Sequence, residues 1–118
     1  MRQAFAHEAL LAMEADADMR APGAAITKAL CGHWDHEPPC PLAPHHSDAT
    51  RVGDGVRLRV LFAVEPELEE VVRGRVEAAL SHGRLVGPDG EVAWTLTSSR
   101  RSDVTTDELA HAESLARG

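Results

Sequence analysis

The chain has 118 residues, of which 43% are hydrophobic and only 3% aromatic, and its formal net charge is −7 at pH 7. This length predicts one domain over residues 1–118, and the acidic balance disfavours duplex nucleic acid and anionic membranes as partners. No apolar run reaches the roughly eighteen residues of a membrane span, and the N-terminus lacks a secretory pattern, so we expect a cytoplasmic protein.

Two N-terminal helices are predicted within residues 3–30. The first is an Ala-rich stretch over residues 3–20, whose apolar side chains recur at helical spacing. The second opens near Pro22, a residue favoured in a first turn, and should stop at Gly32. Cys31 then lies at a helix C-terminus, where the dipole opposes a free thiolate but favours a bound cation.

A Cys/His-rich segment follows, because residues 31–46 hold both cysteines, four of the seven histidines and four of the seven prolines. Thiolate and imidazole are the ligands that Zn²⁺ prefers in closed four-coordinate sites. Proline-rich sequence cannot form helix or ladder hydrogen bonds, so something else must order it. We therefore predict a metal-binding loop over residues 31–50, with about one zinc ion per chain. The candidate ligands are Cys31, His33, His36, Cys40, His45 and His46.

The spacing within this segment ranks the candidate ligands. Because His45 and His46 are adjacent, and neighbours on an extended chain point to opposite faces, we expect only one of them in a given tetrahedral shell. The other is left to hydrogen-bond a ligand, to bind a second ion or to face solvent. The preferred set is Cys31, His36, Cys40 and His45, with His33 and His46 as substitutes.

The two cysteines could also have a role that does not involve a metal ion. They could form a disulfide or stay free thiols, and the histidines could be incidental. A disulfide closing a loop of about ten residues contributes about 2.7 kcal/mol, whereas structural zinc supplies on the order of 10 kcal/mol. The zinc interpretation therefore better explains a loop of this length without secondary structure. Cys31 and His33 match half of the Rieske iron–sulfur motif, but the distant second half is missing, so that match is rejected.

A ββαββα core is predicted over residues 51–118. Residues 56–64 alternate so that a strand there would bury one face throughout and both faces in its second half. An amphipathic helix is predicted over residues 66–82, followed by a hairpin around the turn at 87–90. A capping box at 105–108 opens a last helix.

The predicted fold class is α+β. We expect a small two-layer sandwich, with an antiparallel or mixed sheet, helices on one face and the metal-binding loop added. From Val56 onward the order of elements contains most of a ferredoxin-like βαββαβ path but lacks the closing strand. Such an analogy carries no function by itself.

Several polar residues outside the segment favour structural roles. His7 and His111 are predicted on helix surfaces, and Arg59 on an exposed strand face. Ser99 has no histidine and acid at a spacing that suggests a nucleophile, although such groups can converge in space.

Three functions are compatible with the sequence. The favoured one is a structural zinc protein that presents a surface to a protein partner or a second copy, because no catalytic motif is recognisable and no catalytic residue is assigned. The second is a hydrolase-like metalloenzyme with an open site and Asp35, Glu37 or Asp48 as general base. The third is a metal sensor or carrier in which His33 or His46 captures the ion in transit.

Overall fold

A computed structural model describes residues 1–31, 43–87 and 90–117 of the chain. Short 3-10 turns at Pro66–Leu68 and Thr106–Glu108 lead into the second and third of the helices in these ranges. The strands and helices of the described residues are β1 Gln3–Ala12, α1 Ala21–Cys31, β2 His45–Val52, β3 Gly55–Val64, α2 Glu69–His82, β4 Arg84–Gly87, β5 Gly90–Ala93, β6 Thr95–Ser102 and α3 Leu109–Arg117.

The architecture is α+β, with a four-stranded antiparallel sheet in the order β2-β3-β1-β6. Strands β4 and β5 form a separate two-stranded ribbon. In chain order, β1, α1, β2, β3, α2 and β6 follow the βαββαβ path of ferredoxin-like folds. The β4–β5 ribbon is inserted before the closing strand, and α3 is added after it. The path therefore starts at β1 and is complete, whereas the sequence pattern predicts a start at Val56 and omits the closing strand.

The predicted helix over residues 3–20 is wrong, because its first half forms the central strand β1. This strand pairs with β3 on one side and β6 on the other. Phe5, His7, Ala9 and Leu11 lie on one face of the sheet, which is the period of two expected for a strand. Alanine and leucine favour helices in isolation, but pairing on both edges and burial override that preference.

Helices cover both faces of the sheet, so the predicted arrangement with helices on one face only is wrong. Helices α1 and α2 pack on what we call the inner face, where they bury the large apolar residues of the core. Helix α3 packs against β1 and β3 on the opposite, outer face. The main residues of the inner core are Leu11, Ile26, Leu30, Val56, Leu58, Phe62, Val72, Val76 and Leu80.

Strand β3 explains why a second covering layer is needed. Its second half, from Val60 to Val64, is buried on both faces, as its apolar sequence predicts. Leu61 and Ala63 point to the outer face and are buried together with Ala112 of α3. Leaving these side chains in water would forfeit roughly 25 cal/mol for each Å² of apolar surface, so α3 completes the fold.

The other local predictions hold with small changes. Helix α2 ends at Gly83, whose φ of 77° satisfies the left-handed C-terminal position. The predicted hairpin forms, but its second strand is divided at Trp94, so that β5 joins the ribbon and β6 joins the sheet. The capping box is present, with the Thr105 N–H donating to the Glu108 carboxylate at 2.9 Å. Within the described ranges, no helix has the length and apolar character needed to cross a membrane.

Candidate metal-binding corner and buried polar clusters

The structure describes only part of the predicted ligand set. Residues His33, His36 and Cys40 lie outside the described residues. His45 and His46 are the first two residues of β2, so residues 45–50 form a strand rather than the predicted loop. Among the residues that are described, no three His, Cys, Asp or Glu side chains converge on one point.

His45 lies on the inner face, beside α1. Its Nε2 is 2.9 Å from Thr27 Oγ1, and its Nδ1 is 3.1 Å from the carbonyl oxygen of Ala43. Burial lowers the pKa of His45, which keeps the imidazole neutral at pH 7, although the hydrogen bond to Ala43 acts in the opposite direction. The tautomer that fits these partners donates Nδ1–H to Ala43 and accepts the Thr27 hydroxyl at Nε2.

This arrangement resembles the hydrogen bonding around a zinc-binding histidine. Such histidines commonly donate one ring N–H to a backbone carbonyl, which orients the other nitrogen toward the ion. The Thr27 hydroxyl is also 3.2 Å from the carbonyl oxygen of Gly23, one turn earlier in α1. The Thr27 hydroxyl can therefore turn to Gly23 without losing a hydrogen bond.

The same contact brings together the two ends of the Cys/His-rich segment. Thr27 precedes Cys31, the last residue of α1, by one helical turn. His45 begins β2, so the end of α1 and the start of β2, which flank the Cys/His-rich segment, meet at one place, which we call the α1–β2 corner. A cleft of about 750 Å³ between α1, β2 and the β4–β5 ribbon is lined in part by Thr27 and His45. The corner is thus reachable from solvent, as an ion-binding site requires.

His46 lies on the other side of the sheet. Its ring packs against that of His111 on α3, with 4.4 Å between the ring centroids. The expectation that the two adjacent histidines point to opposite faces is confirmed. Asp48 follows His46 on the outer face of β2 and is exposed. Neither residue is directed toward the corner, which leaves His45 as the histidine of β2 that faces it.

No protein-family model, curated protein or solved structure matches this chain.

A buried polar cluster lies on the inner face at β1, where the sequence predicted no site. His7 is only 4% exposed, so its predicted position on a helix surface is wrong. Its Nε2 is 2.7 Å from Ser99 Oγ on β6, and its Nδ1 is 3.0 Å from Arg73 Nη1 on α2. Arg73 Nε also donates to Glu69 at 2.7 Å. Alternation of Phe5, His7 and Ala9 is the sequence signal that could have placed His7 in the interior.

The side chains of Ser99 and His7 are as close as those of a catalytic serine–histidine pair, but the hydrogen bond between them runs in the wrong direction. Arginine can only donate, so Arg73 occupies the Nδ1 lone pair and the proton of neutral His7 resides on Nε2. That nitrogen then donates to Ser99, whereas a general base must accept the serine proton. Burial and the neighbouring Arg73 and Arg101 lower the pKa of His7 to about 4. The cluster therefore ties β1 to α2 and β6 and does not activate the serine.

Arg59 anchors α3 to the outer face and is not on an exposed strand face as predicted. Its side chain is 14% exposed and lies between two carboxylates, with Glu108 at 2.6 Å and Glu8 at 3.3 Å. The hydrogen bond from Arg59 is the main reason that the pKa of Glu108 falls to about 2. Glu108 belongs to the turn that opens α3, so this ion pair fixes where the helix begins on the sheet.

Proposed function

We propose that this protein is a small zinc-binding protein with a mainly structural site at the α1–β2 corner. Cys31 and His45 supply two ligands, and two more come from His33, His36 and Cys40. The preferred set remains Cys31, His36, Cys40 and His45. We further propose that the ordered surface is presented to a protein partner or to a second copy of the chain.

The contact between Thr27 and His45 is the observation that carries this proposal. It supports a site in which both ends of the segment are anchored before the ion binds, which reduces the chain entropy lost on closing the site. The neutral, carbonyl-oriented imidazole of His45 is the form that coordinates zinc. Two thiolates would largely neutralise the charge of the ion and weaken it as a Lewis acid, which favours structure over catalysis.

Zinc content of matched variants tests the proposal. The wild-type protein, purified without chelator, should carry about one zinc per chain by elemental analysis. His45→Gln should bind zinc at least about tenfold more weakly because it removes a ligand that faces the corner. His46→Gln removes the neighbouring imidazole from the opposite face and should leave the zinc content unchanged. Equal zinc loss in both variants, or a wild-type protein without zinc, would contradict the proposal.

A metalloenzyme is the second candidate, favoured by the cleft of about 750 Å³ beside His45. An open site would keep a water ligand that can titrate near pH 7. The absorption spectrum of cobalt-substituted protein distinguishes the two cases. A closed site should give the same spectrum across neutral pH and in the presence of cyanide. A spectrum that changes with pH and with cyanide would favour the enzyme, with Glu37 as the first residue to mutate.

A further inference from the structure

A second cavity, of about 500 Å³, lies between the start of β1, the first turns of α2 and the end of β6, and its residue Phe5 is two strands across the sheet from His45. Phe5, Glu69, Arg73, Arg101 and Val104 are among the residues that line it. None of them belongs to the Cys/His-rich segment, so this cavity raises a question separate from the zinc proposal.

Arg73 lines this cavity, and not all of its N–H groups are used in hydrogen bonds to described residues. A guanidinium carries five N–H groups. Nε uses its hydrogen on Glu69, and Nη1 uses both of its hydrogens, on the carbonyl oxygen of Ala6 at 2.8 Å and on His7 at 3.0 Å. No residue of the described ranges accepts a hydrogen bond from Nη2. Nor is Nη2 among the fully buried polar atoms of those ranges that lack a partner, so it is open to the cavity.

The guanidinium is held rigidly although one nitrogen is unused. Arg73 is only 7% exposed, and its central carbon lies 5.3 Å from the ring centroid of Phe62 and 5.9 Å from that of Phe5. Three hydrogen bonds and two aromatic rings therefore fix the direction of Nη2. A preoriented donor binds an acceptor at a lower entropic cost than a flexible surface arginine does.

Two arginine side chains lie on the cavity side of the sheet. Arg73 and Arg101 line the cavity together with Glu69 and Asp103, whereas the guanidinium of Arg100 is bound to Glu8 on the outer face. Glu69 Oε2 is shared between Arg73 Nε at 2.7 Å and Arg101 Nη1 at 3.6 Å. Arg101 is 61% exposed and is also bound to Glu70, so its side chain meets a ligand by exchanging the exposed Glu70 carboxylate for the ligand's oxyanion.

We propose that this cavity, the Arg73 pocket, binds a small ligand through a carboxylate or phosphate group that accepts hydrogen bonds from Arg73 Nη2. Arg101 closes over the same oxyanion, and the rest of the ligand contacts Phe5 and Val104. Arginine suits this role because its planar donors match carboxylate and phosphate oxygens. The volume of the cavity matches a small metabolite and not a polymer.

Titration with inorganic phosphate and with acetate tests the proposal, using sodium chloride of equal ionic strength as the reference. Binding is followed by NMR of the arginine side-chain N–H groups. We expect a saturable shift of the Arg73 resonances with at least one of the two anions and none with chloride. Phosphate alone or acetate alone would support the pocket and identify the group recognised. The absence of a saturable shift with either anion would overturn the proposal.

Two arginine variants separate specific binding from general charge screening. Arg101→Gln should weaken binding about threefold, as expected for one exposed charge near the ligand. Arg84→Gln makes the same charge change on β4, where the exposed Arg84 is paired with Glu91 and lies outside the pocket, and should leave the affinity unchanged. Arg101 can be replaced without disturbing the core, so the test does not depend on a folded Arg73 variant. Equal weakening in both variants would show that the anion only screens charge.

Discussion

Lowering the pH from 7 to 5 should destabilise this protein through His7. The side chain is buried between Arg73 and Ser99, and its pKa falls from 6.5 to about 4 on folding. Protonation would place an Nδ1–H against a guanidinium N–H that is now 3.0 Å away, so two donors would face each other in the interior. Below pH 6.5 the unfolded chain binds this proton more readily than the folded chain does, and folding becomes less favourable.

The size of the effect follows from the difference in pKa. A shift from 6.5 to about 4 is 2.5 pKa units, which at about 1.36 kcal/mol per unit gives a limit of about 3.4 kcal/mol once both states are protonated. Between pH 7 and pH 5 the loss amounts to about 2 kcal/mol. The pKa of Glu108, lowered to about 2, acts in the same direction but at lower pH, since its stabilising contribution is lost only as the pH falls below about 4.5. The window above pH 5 therefore avoids the effect of Glu108. His45, whose pKa is also lowered by burial, contributes equally in the wild type and in a His7 variant and cancels in their comparison.

Urea unfolding of the wild type and of His7→Gln at pH 7 and pH 5 measures the effect. The glutamine can still accept from Arg73 and donate to Ser99, but it does not titrate. The free energy of unfolding should fall by about 2 kcal/mol more in the wild type than in the variant over this range. His82→Gln, at an exposed position, controls for the loss of one imidazole. If the wild type and His7→Gln lose stability in parallel, the account of His7 as a buried neutral base is wrong.

Further predictions concern α3 and two glycines of the α2 region. Arg59→Gln should lower the free energy of unfolding at pH 7 by about 2 kcal/mol, because it leaves the partly buried carboxylate of Glu108 without its cation and leaves Glu8 with Arg100 alone. Arg57→Gln, on the exposed part of the same strand, should change it by less than about 0.5 kcal/mol. Gly74→Ala should raise the melting temperature, with a gain of about 0.5–1 kcal/mol, because an added methyl group meets nothing within 4 Å on an exposed turn of α2. Gly83→Ala should lower it, since the residue has φ +77° and its new methyl group would lie 2.7 Å from the carbonyl oxygen of Trp94. A stabilised Gly83→Ala variant, or an Arg57→Gln variant as unstable as Arg59→Gln, would contradict these assignments.

The strands and helices whose buried faces and ends follow from the local sequence pattern could be predicted. Strand β3 matches its predicted span to within a residue, because its alternation and its doubly apolar second half allow few other structures. Helix α2 is bounded by Pro66 and Gly83, which act through backbone constraints that do not depend on the rest of the fold. The opposite orientation of His45 and His46 follows from the pleat alone.

Strand β1 was not predictable from its local preferences. Its alanines and leucines satisfy a helical pattern as well as a strand pattern, and only the edges of β3 and β6 decide between them. The same pairing places His7 in the interior and moves the start of the βαββαβ path to the N-terminus. The position of α3 likewise depends on Arg59, whose partners lie 51 and 49 residues away in the chain.

The amino-acid sequence by itself determined that thiolates and imidazoles are concentrated in one proline-rich segment, and the prediction of a metal site depends on that concentration. It also determined the α+β class, because the periods of apolar residues report which faces can be buried. Only the tertiary structure decided which histidine faces the α1–β2 corner and that Arg73, His7 and Ser99 meet. Those contacts join residues 18, 66 and 92 positions apart, and no local pattern encodes them, because they exist only once the strands of the sheet have paired.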